Sequence, residues 1–229
     1  MSYTDLQMRA FTQIAYLDLE DKFEMKSKNG EPVALKDLLT DKEKASFIER
    51  GIMTESEINT WKISSVYDAN YKGKDGNPPS GFYGCVIETS DSPKEAAIGF
   101  RGSESLSNVK DAYYDWTEAD LKLLNSTLTL QQAETERFLK KNKDLLQKYD
   151  SLSLTGHSLG GNLAEHGTIV LADEKRFGLK NKIDRCCSMD GPGFSDEYLR
   201  KHSQQIGEMS GKMRHMRWSA VGNLLNDLP

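Results

Sequence analysis

Ser158 stands in Thr155-Gly156-His157-Ser158-Leu159-Gly160-Gly161, a Gly-x-Ser-x-Gly pattern, and a serine so placed can attack a carbonyl carbon as a nucleophile. That chemistry requires the hydroxyl at the apex of a sharp turn. The neighbours must be small, because a Cβ at those positions collides with the adjoining strand or helix. Leu152-Ser153-Leu154-Thr155 alternates apolar and polar as a strand does, and Asn162 through Ala172 suits a helix. The pattern therefore predicts strand, turn and helix, with Ser158 at the helix N-terminus. Unpaired backbone N–H groups there favour developing negative charge. The competing reading is a glycine-rich helix entry with no chemistry. Both flanks, together with His157 and the second glycine at 161, favour the nucleophile.

The elements that must hold this serine are legible in outline. From residue 130 onward the order reads helix, strand, helix, strand, helix, strand, over Leu130 to Tyr149, the 152–155 strand, the elbow helix, Ile183 to Met189, Asp196 to Met209, and Met213 to Val221. Such alternation calls for an α/β fold with a mainly parallel sheet flanked by helices. Phe82 to Thr89 and Ala96 to Arg101 read as a tight pair of strands, and Gly73 to Gly81 as a loop. In open α/β sheets the working residues gather at the carboxyl ends of the strands. Ser158, Gly102-Ser103 and Asp190-Gly191-Pro192-Gly193 all fall at such ends, so three segments are expected to converge on one rim.

Residues 1–61 read as an N-terminal helical extension packed on a core of residues 62–229. A first helix over residues 3–20 carries Leu6, Ala10, Phe11, Ile14 and Leu17 as its apolar stripe; a second spans Leu35 to Glu49; a third opens at Thr54 with a Thr-x-x-Glu capping box. A net charge of -5 leaves no electrostatic footprint for nucleic acid. Three cysteines, two of them adjacent at 186 and 187, suggest reduced, buried thiols rather than a disulfide framework. The sequence shows no metal-ligand cluster, phosphate loop, nucleotide fingerprint, signal peptide or membrane span. No cofactor is expected, and the location is either cytoplasmic or reached by a route that does not use a signal peptide.

Gly99-Phe100-Arg101-Gly102-Ser103, then Asp115-Trp116 with Asp120-Leu121, then Gly156-His157-Ser158-Leu159-Gly160-Gly161-Asn162-Leu163-Ala164, resemble the class 3 (fungal triacylglycerol lipase-like) α/β-hydrolases over roughly residues 62–221. Asp190-Gly191-Pro192-Gly193-Phe194 is similar to a bacterial branch of lipase-like proteins, some of which are lipase domains of toxins exported by type VII secretion. The resemblance implies Ser158 as nucleophile on a lipid ester, the Leu159 backbone N–H as one oxyanion donor, and Ser103 as the other. It also implies a lipid or phospholipid substrate, transient contact with a membrane surface, and an immunity or secretion partner protein, for which the N-terminal helices would offer a docking surface. Arg101 and Asp115-Trp116 are expected to brace the site, Arg101 by pairing with a carboxylate. Residues 104–127 are the region in which a lid would lie.

A triad also needs a base and an orienting carboxylate. Where the family resemblance would place the acid, this chain has Ser219. Asp190, at the end of the strand after the elbow helix, is the alternative acid, its other reading being a turn or cap carboxylate; Asp227 is a third choice. Among four histidines, His157 belongs to the elbow, where the family packs it beneath the serine, His166 points away from the rim along the elbow helix, and His202 lies on a charged helix. His215, on the last strand, is the remaining base candidate, although its position does not match the family. A base beyond Pro229, in a fragment or a split enzyme, is the favoured expectation. The functional reading is a serine ester hydrolase of lipase or phospholipase A type, the alternative being a lipase-like module silent until a missing segment or partner completes it. A peptidase or thioesterase on the same fold remains open, since fold does not fix substrate.

Overall fold

The computed structural model describes residues 3–69, 76, 79–102 and 118–217, with side chains of the last stretch described from residue 129. Helices α1 (Asp5–Ala15), α2 (Glu20–Lys26), α3 (Leu35–Leu38), α4 (Asp41–Glu49) and α5 (Glu55–Thr60) precede most of the sheet, with strand β1 (Val33–Ala34) among them. Then come β2 (Lys62–Ala69), β3 (Phe82–Asp91), β4 (Lys94–Arg101), α6 (Glu118–Lys141), α7 (Lys143–Leu146), β5 (Ser151–His157), α8 (Leu159–Ala172), β6 (Ile183–Met189), α9 (Asp196–Lys201), α10 (Ser203–Met209) and β7 (Met213–Met216).

All seven strands form one sheet in sequence order. The expected parallel arrangement holds from β4 to β7, whereas β1 to β4 pair antiparallel, so the sheet is mixed. For β3 and β4 the reason is connection length. Only Ser92 and Pro93 separate β3 from β4, and a link that short can only reverse the chain, while each parallel pair is bridged by a helix.

The sheet has two well-covered faces. One packs under α1 and the other N-terminal elements, through Phe11, Ile14, Tyr83, Cys85, Ala97 and Cys187. The other packs under α6 and α8, through Phe82, Phe100, Phe138, Leu154, Leu163 and Cys186. Alternation along β4 and β6 sends successive side chains to opposite faces, so both surfaces of the central strands are apolar. Cys85, Cys186 and Cys187 are all buried, unpaired thiols.

The N-terminal residues share this core. On α1, Met8, Ala10, Phe11 and Ile14 are fully buried, and Thr12 hydrogen-bonds Thr155 of β5 at 2.9 Å. Leu6, expected in the stripe, is half exposed, because the buried face of α1 turns through Met8 instead. The helix expected over 35–49 is two helices. Thr40 breaks it by capping α4, its hydroxyl accepting from the Glu43 N–H while the Glu43 carboxylate accepts from the Thr40 N–H. The same reciprocal cap opens α5 at Thr54 and Glu57.

Candidate active site

The local geometry at Ser158 follows from its neighbours. Strand β5 ends at His157 and α8 begins at Leu159, leaving Ser158 as the single turn residue, with φ 56° and ψ −132°. A non-glycine residue at positive φ costs on the order of 1–3 kcal/mol and persists only where the surroundings impose it. Here they do. The Ser158 N–H donates to the Met189 carbonyl at 2.9 Å, and the Gly161 N–H donates to the Ser158 carbonyl at 2.8 Å. Glycine is obligatory on both sides. A Cβ on Gly156 would stand 2.1 Å from the Gly160 carbonyl oxygen, and one on Gly160 would stand 2.4 Å from that of Phe100. The Ser158 side chain is neither sealed in nor fully exposed, and the positive end of α8 lies at its base.

Two further segments close on the elbow. Gly102, at the end of β4, packs so tightly that an added Cβ would lie 2.8 Å from the His157 carbonyl oxygen and 3.3 Å from the Leu159 nitrogen. Gly102 therefore lies beside the first N–H of α8. Ser103 itself, Asp115-Trp116 and residues 104–114 lie outside the described residues, as do Ser219 and Asp227; of the expected lid region, residues 118–127 are the start of α6. From the other side, a Cβ on Gly191 would stand 2.7 Å from the Asn162 nitrogen. The Asn162 amide also donates to the carbonyls of Pro192 at 3.0 Å and Gly193 at 2.9 Å. Asp190 is buried, in the left-handed region at φ 55°, and its N–H donates to the Met216 carbonyl. The carboxyl ends of β4, β5 and β6 thus share one rim.

His215 lies one residue before the end of β7, in register with Ser188, on the sheet face covered by α8. Its Nδ1 meets the Glu165 carboxylate of that helix at 3.0 Å. Glu165 is buried; burial pushes its carboxyl up from the usual range, against the pull of His215. The His215 Nε2 is buried without a hydrogen-bond partner among the described residues.

The Mbeg1-like family matches residues 72–227, more than half of the chain. The chain belongs to the Mbeg1-like family. Among proteins of curated function none matches it. Among solved structures, M37 lipase superposes with a TM-score of 0.52 at 17% identity, covering 93% of this chain and 67% of that one. The Rhizomucor miehei lipase propeptide complex gives a TM-score of 0.47 at 14% identity, covering 90% and 60%. Lipase II from Rhizopus niveus gives 0.46 at 15%, covering 93% and 72%. The chain thus spans about two thirds of the length of these structures. The likeness to M37 lipase shows the fold, an α/β-hydrolase sheet flanked by helices.

In this Mbeg1-like chain the N-terminal segment supplies groups to the rim that the sequence did not flag. The Tyr16 hydroxyl lies 3.2 Å from the His157 Nδ1, and His157 is exposed beside it instead of packing beneath the serine. Arg101, buried to 1% exposure, pairs with Asp18 at 3.0 Å and approaches Asp68 at 3.8 Å, with its guanidinium over the Tyr83 ring. It fixes the β4 end from which the Gly102 turn leaves. No motif marks Tyr16 or Asp18, because their role depends on where α1 ends. Glu165 was equally invisible as a partner for a histidine 50 residues away. No group of three or more metal-ligating side chains occurs among the described residues.

Proposed function

We propose that the chain is a serine ester hydrolase of the lipase or phospholipase A type, with Ser158 as nucleophile. The observation that carries this reading is the one-residue, positive-φ turn at Ser158, with the Gly102 turn packed against the Leu159 nitrogen. The Ser158 Oγ attacks the ester carbonyl carbon as its proton passes to a base. The carbonyl oxygen becomes an oxyanion received by the Leu159 N–H and by Ser103. Collapse expels the alcohol, and water then hydrolyses the acyl-enzyme by the same route. Within the chain, Asp190 is the acid we assign and His215 the base. The substrate is a lipid ester met at a membrane surface, and no helix among the described residues is long and apolar enough to cross a membrane. Export through a type VII route and an immunity or secretion partner complete the reading.

A second reading is favoured by one contact. Because Glu165 holds His215 against α8, the chain would be a lipase-like module that gains its base from a further segment or a partner. A fluorophosphonate probe decides between the two. Rapid labelling lost in Ser158→Ala supports the complete hydrolase; slow or absent labelling of the native serine supports the incomplete module. Hydrolysis of a p-nitrophenyl ester that survives Ser158→Ala unchanged overturns the nucleophile assignment in both.

A further inference from the structure

The carboxyl ends of β5 and β6 carry the same backbone feature side by side. His157 and Met189 are register partners on these parallel strands, so Ser158 and Asp190 follow them as neighbours across the sheet. Each has left-handed backbone, at φ 56° and φ 55°. Each donates its N–H to the carbonyl that ends the next strand, Ser158 to Met189 and Asp190 to Met216. The third non-glycine residue of this kind among the described residues, Asn29, lies in an exposed turn beside Gly30. Asp190 is instead 5% exposed. A buried side chain on strained backbone persists only where its surroundings over-determine it.

Those surroundings centre on Asn162, in the first turns of α8 beyond the nucleophile. Asn162 is fully buried, and its whole carboxamide is engaged. The amide protons go to the Pro192 carbonyl at 3.0 Å and the Gly193 carbonyl at 2.9 Å. Its oxygen accepts from the Gln132 amide of α6 at 2.8 Å, which fixes the way the group faces. Gly191 lies against the same turn. A Cβ there would stand 2.6 Å from the Ser188 Oγ and 2.7 Å from the Asn162 nitrogen. Residues 191–193 are thus pinned to the helix that starts beside Ser158, and the chain leaving Asp190 has no slack with which to relax its φ. A buried amide adds nothing to apolar packing; what Asn162 supplies is this clamp.

We propose that Asn162 is the positioning residue of the acid: its amide holds the 191–193 backbone so that Asp190 keeps a fixed place beside Ser158, and Gln132 sets the direction of that amide. The inference rests on the hydrolase reading with Asp190 as acid, and it adds a residue that the nucleophile motif does not mark. Asn162 touches neither substrate nor reacting atoms; it acts through Asp190. A carboxylate fixed beside the base stabilises the protonated base and raises its pKa. Loosening the clamp therefore slows turnover and moves the acid limb of the pH–rate profile to lower pH. This holds whether His215 or a further segment supplies the base.

The test compares Asn162→Ala with Asn142→Ala, which removes another buried, hydrogen-bonded asparagine, between α6 and α7 and ahead of β5. On a p-nitrophenyl ester, Asn162→Ala should lower kcat about tenfold or more with KM little changed, whereas Asn142→Ala keeps the native kcat. The acid limb of kcat/KM should move down by about one pH unit. On an Asp190→Asn background the loss should vanish, because the acid is no longer there to be positioned; a general structural defect would persist. Gln132→Leu, at a half-buried site that tolerates change, should give a smaller loss of the same kind and carries the test if Asn162→Ala does not fold. Amide hydrogen exchange reads the clamp without turnover: the Asp190 N–H should exchange about tenfold or more faster in Asn162→Ala, with the Thr155 N–H of β5 changed no more than in Asn142→Ala. A native chain that turns over no ester overturns the hydrolase reading and leaves exchange to decide the clamp. The proposal fails if the Asp190 amide is unmoved, if Asn162→Ala keeps the native kcat of an active chain, or if its loss is undiminished on the Asp190→Asn background.

Discussion

The elbow and a cleft lined by residues of α6, α8 and α9, with His166 of α8 and Tyr198 of α9 in its wall, share one helix and are built on opposite principles. At the elbow the fit is between backbone atoms: Gly156, Gly160 and Gly102 each have a main-chain atom where a Cβ would lie, at 2.1, 2.4 and 2.8 Å. In the cleft the polar lining is made of the ends of long side chains, with Arg137 paired to Glu134 and Arg176 to Glu136. The difference teaches where change is tolerated. A methyl group in the wrong place ruins the elbow, whereas the cleft absorbs substitutions and alters only its chemistry.

The largest expected effect is at the elbow hydroxyl. Ser158→Ala should lower ester turnover on the order of 10⁶-fold while circular dichroism and the unfolding midpoint stay close to native. Next, Gly156→Ala should cost about 3 kcal/mol in urea unfolding, because its Cβ meets the Gly160 carbonyl oxygen, a backbone atom that cannot move without shifting α8. The same change at Gly207 of α10, where nothing lies within 4 Å, should stabilise by about 0.5–1 kcal/mol. Equal effects at the two glycines would erase the contrast.

Buried His166 predicts a pH signature somewhat smaller than the Gly156 effect. His166 is held neutral down to about 4, first by burial and also by His202 and Arg176, with Glu136 and the Gln132 backbone opposing. The unfolded chain takes up that proton near pH 6.5, so its stabilising contribution is complete above 6.5 and is lost as pH falls toward 4. Buried Glu165 runs the other way, its raised carboxyl favouring the folded state at low pH. Between pH 7 and 4.5 the His166 contribution should lower stability by about 2 kcal/mol in urea unfolding. His166→Phe should flatten that slope; an unchanged slope would place its origin elsewhere. A small effect, on the scale of Gly207→Ala, is expected for Ser158→Gly, which relieves the positive φ and should add about 1 kcal/mol of stability.

Much of the fold was readable from short-range pattern. The strand, turn and helix around Ser158 follow from residues within a few positions of it, as does the hairpin of β3 and β4. The break at Thr40 was also present, since Thr40 and Glu43 repeat the Thr-x-x-Glu spacing that marked Thr54 and Glu57. The antiparallel half of the sheet was not readable from helix–strand alternation, because β1 and β2 pair antiparallel although α3, α4 and α5 lie between them.

Chain-local sterics require glycine at 156, whose Cβ would meet the Gly160 carbonyl oxygen four residues on, while glycine at 160 answers to the Phe100 carbonyl of the neighbouring strand. Tertiary structure alone decided what surrounds the sharp turn. Arg101 finds Asp18, His157 finds Tyr16, His215 finds Glu165, and His166 finds Tyr198 because helices and strands far apart in the chain pack edge to edge. Polar partners at such separations are chosen by the placement of whole elements, and that placement is set by apolar burial on the two sheet faces rather than by the polar residues themselves.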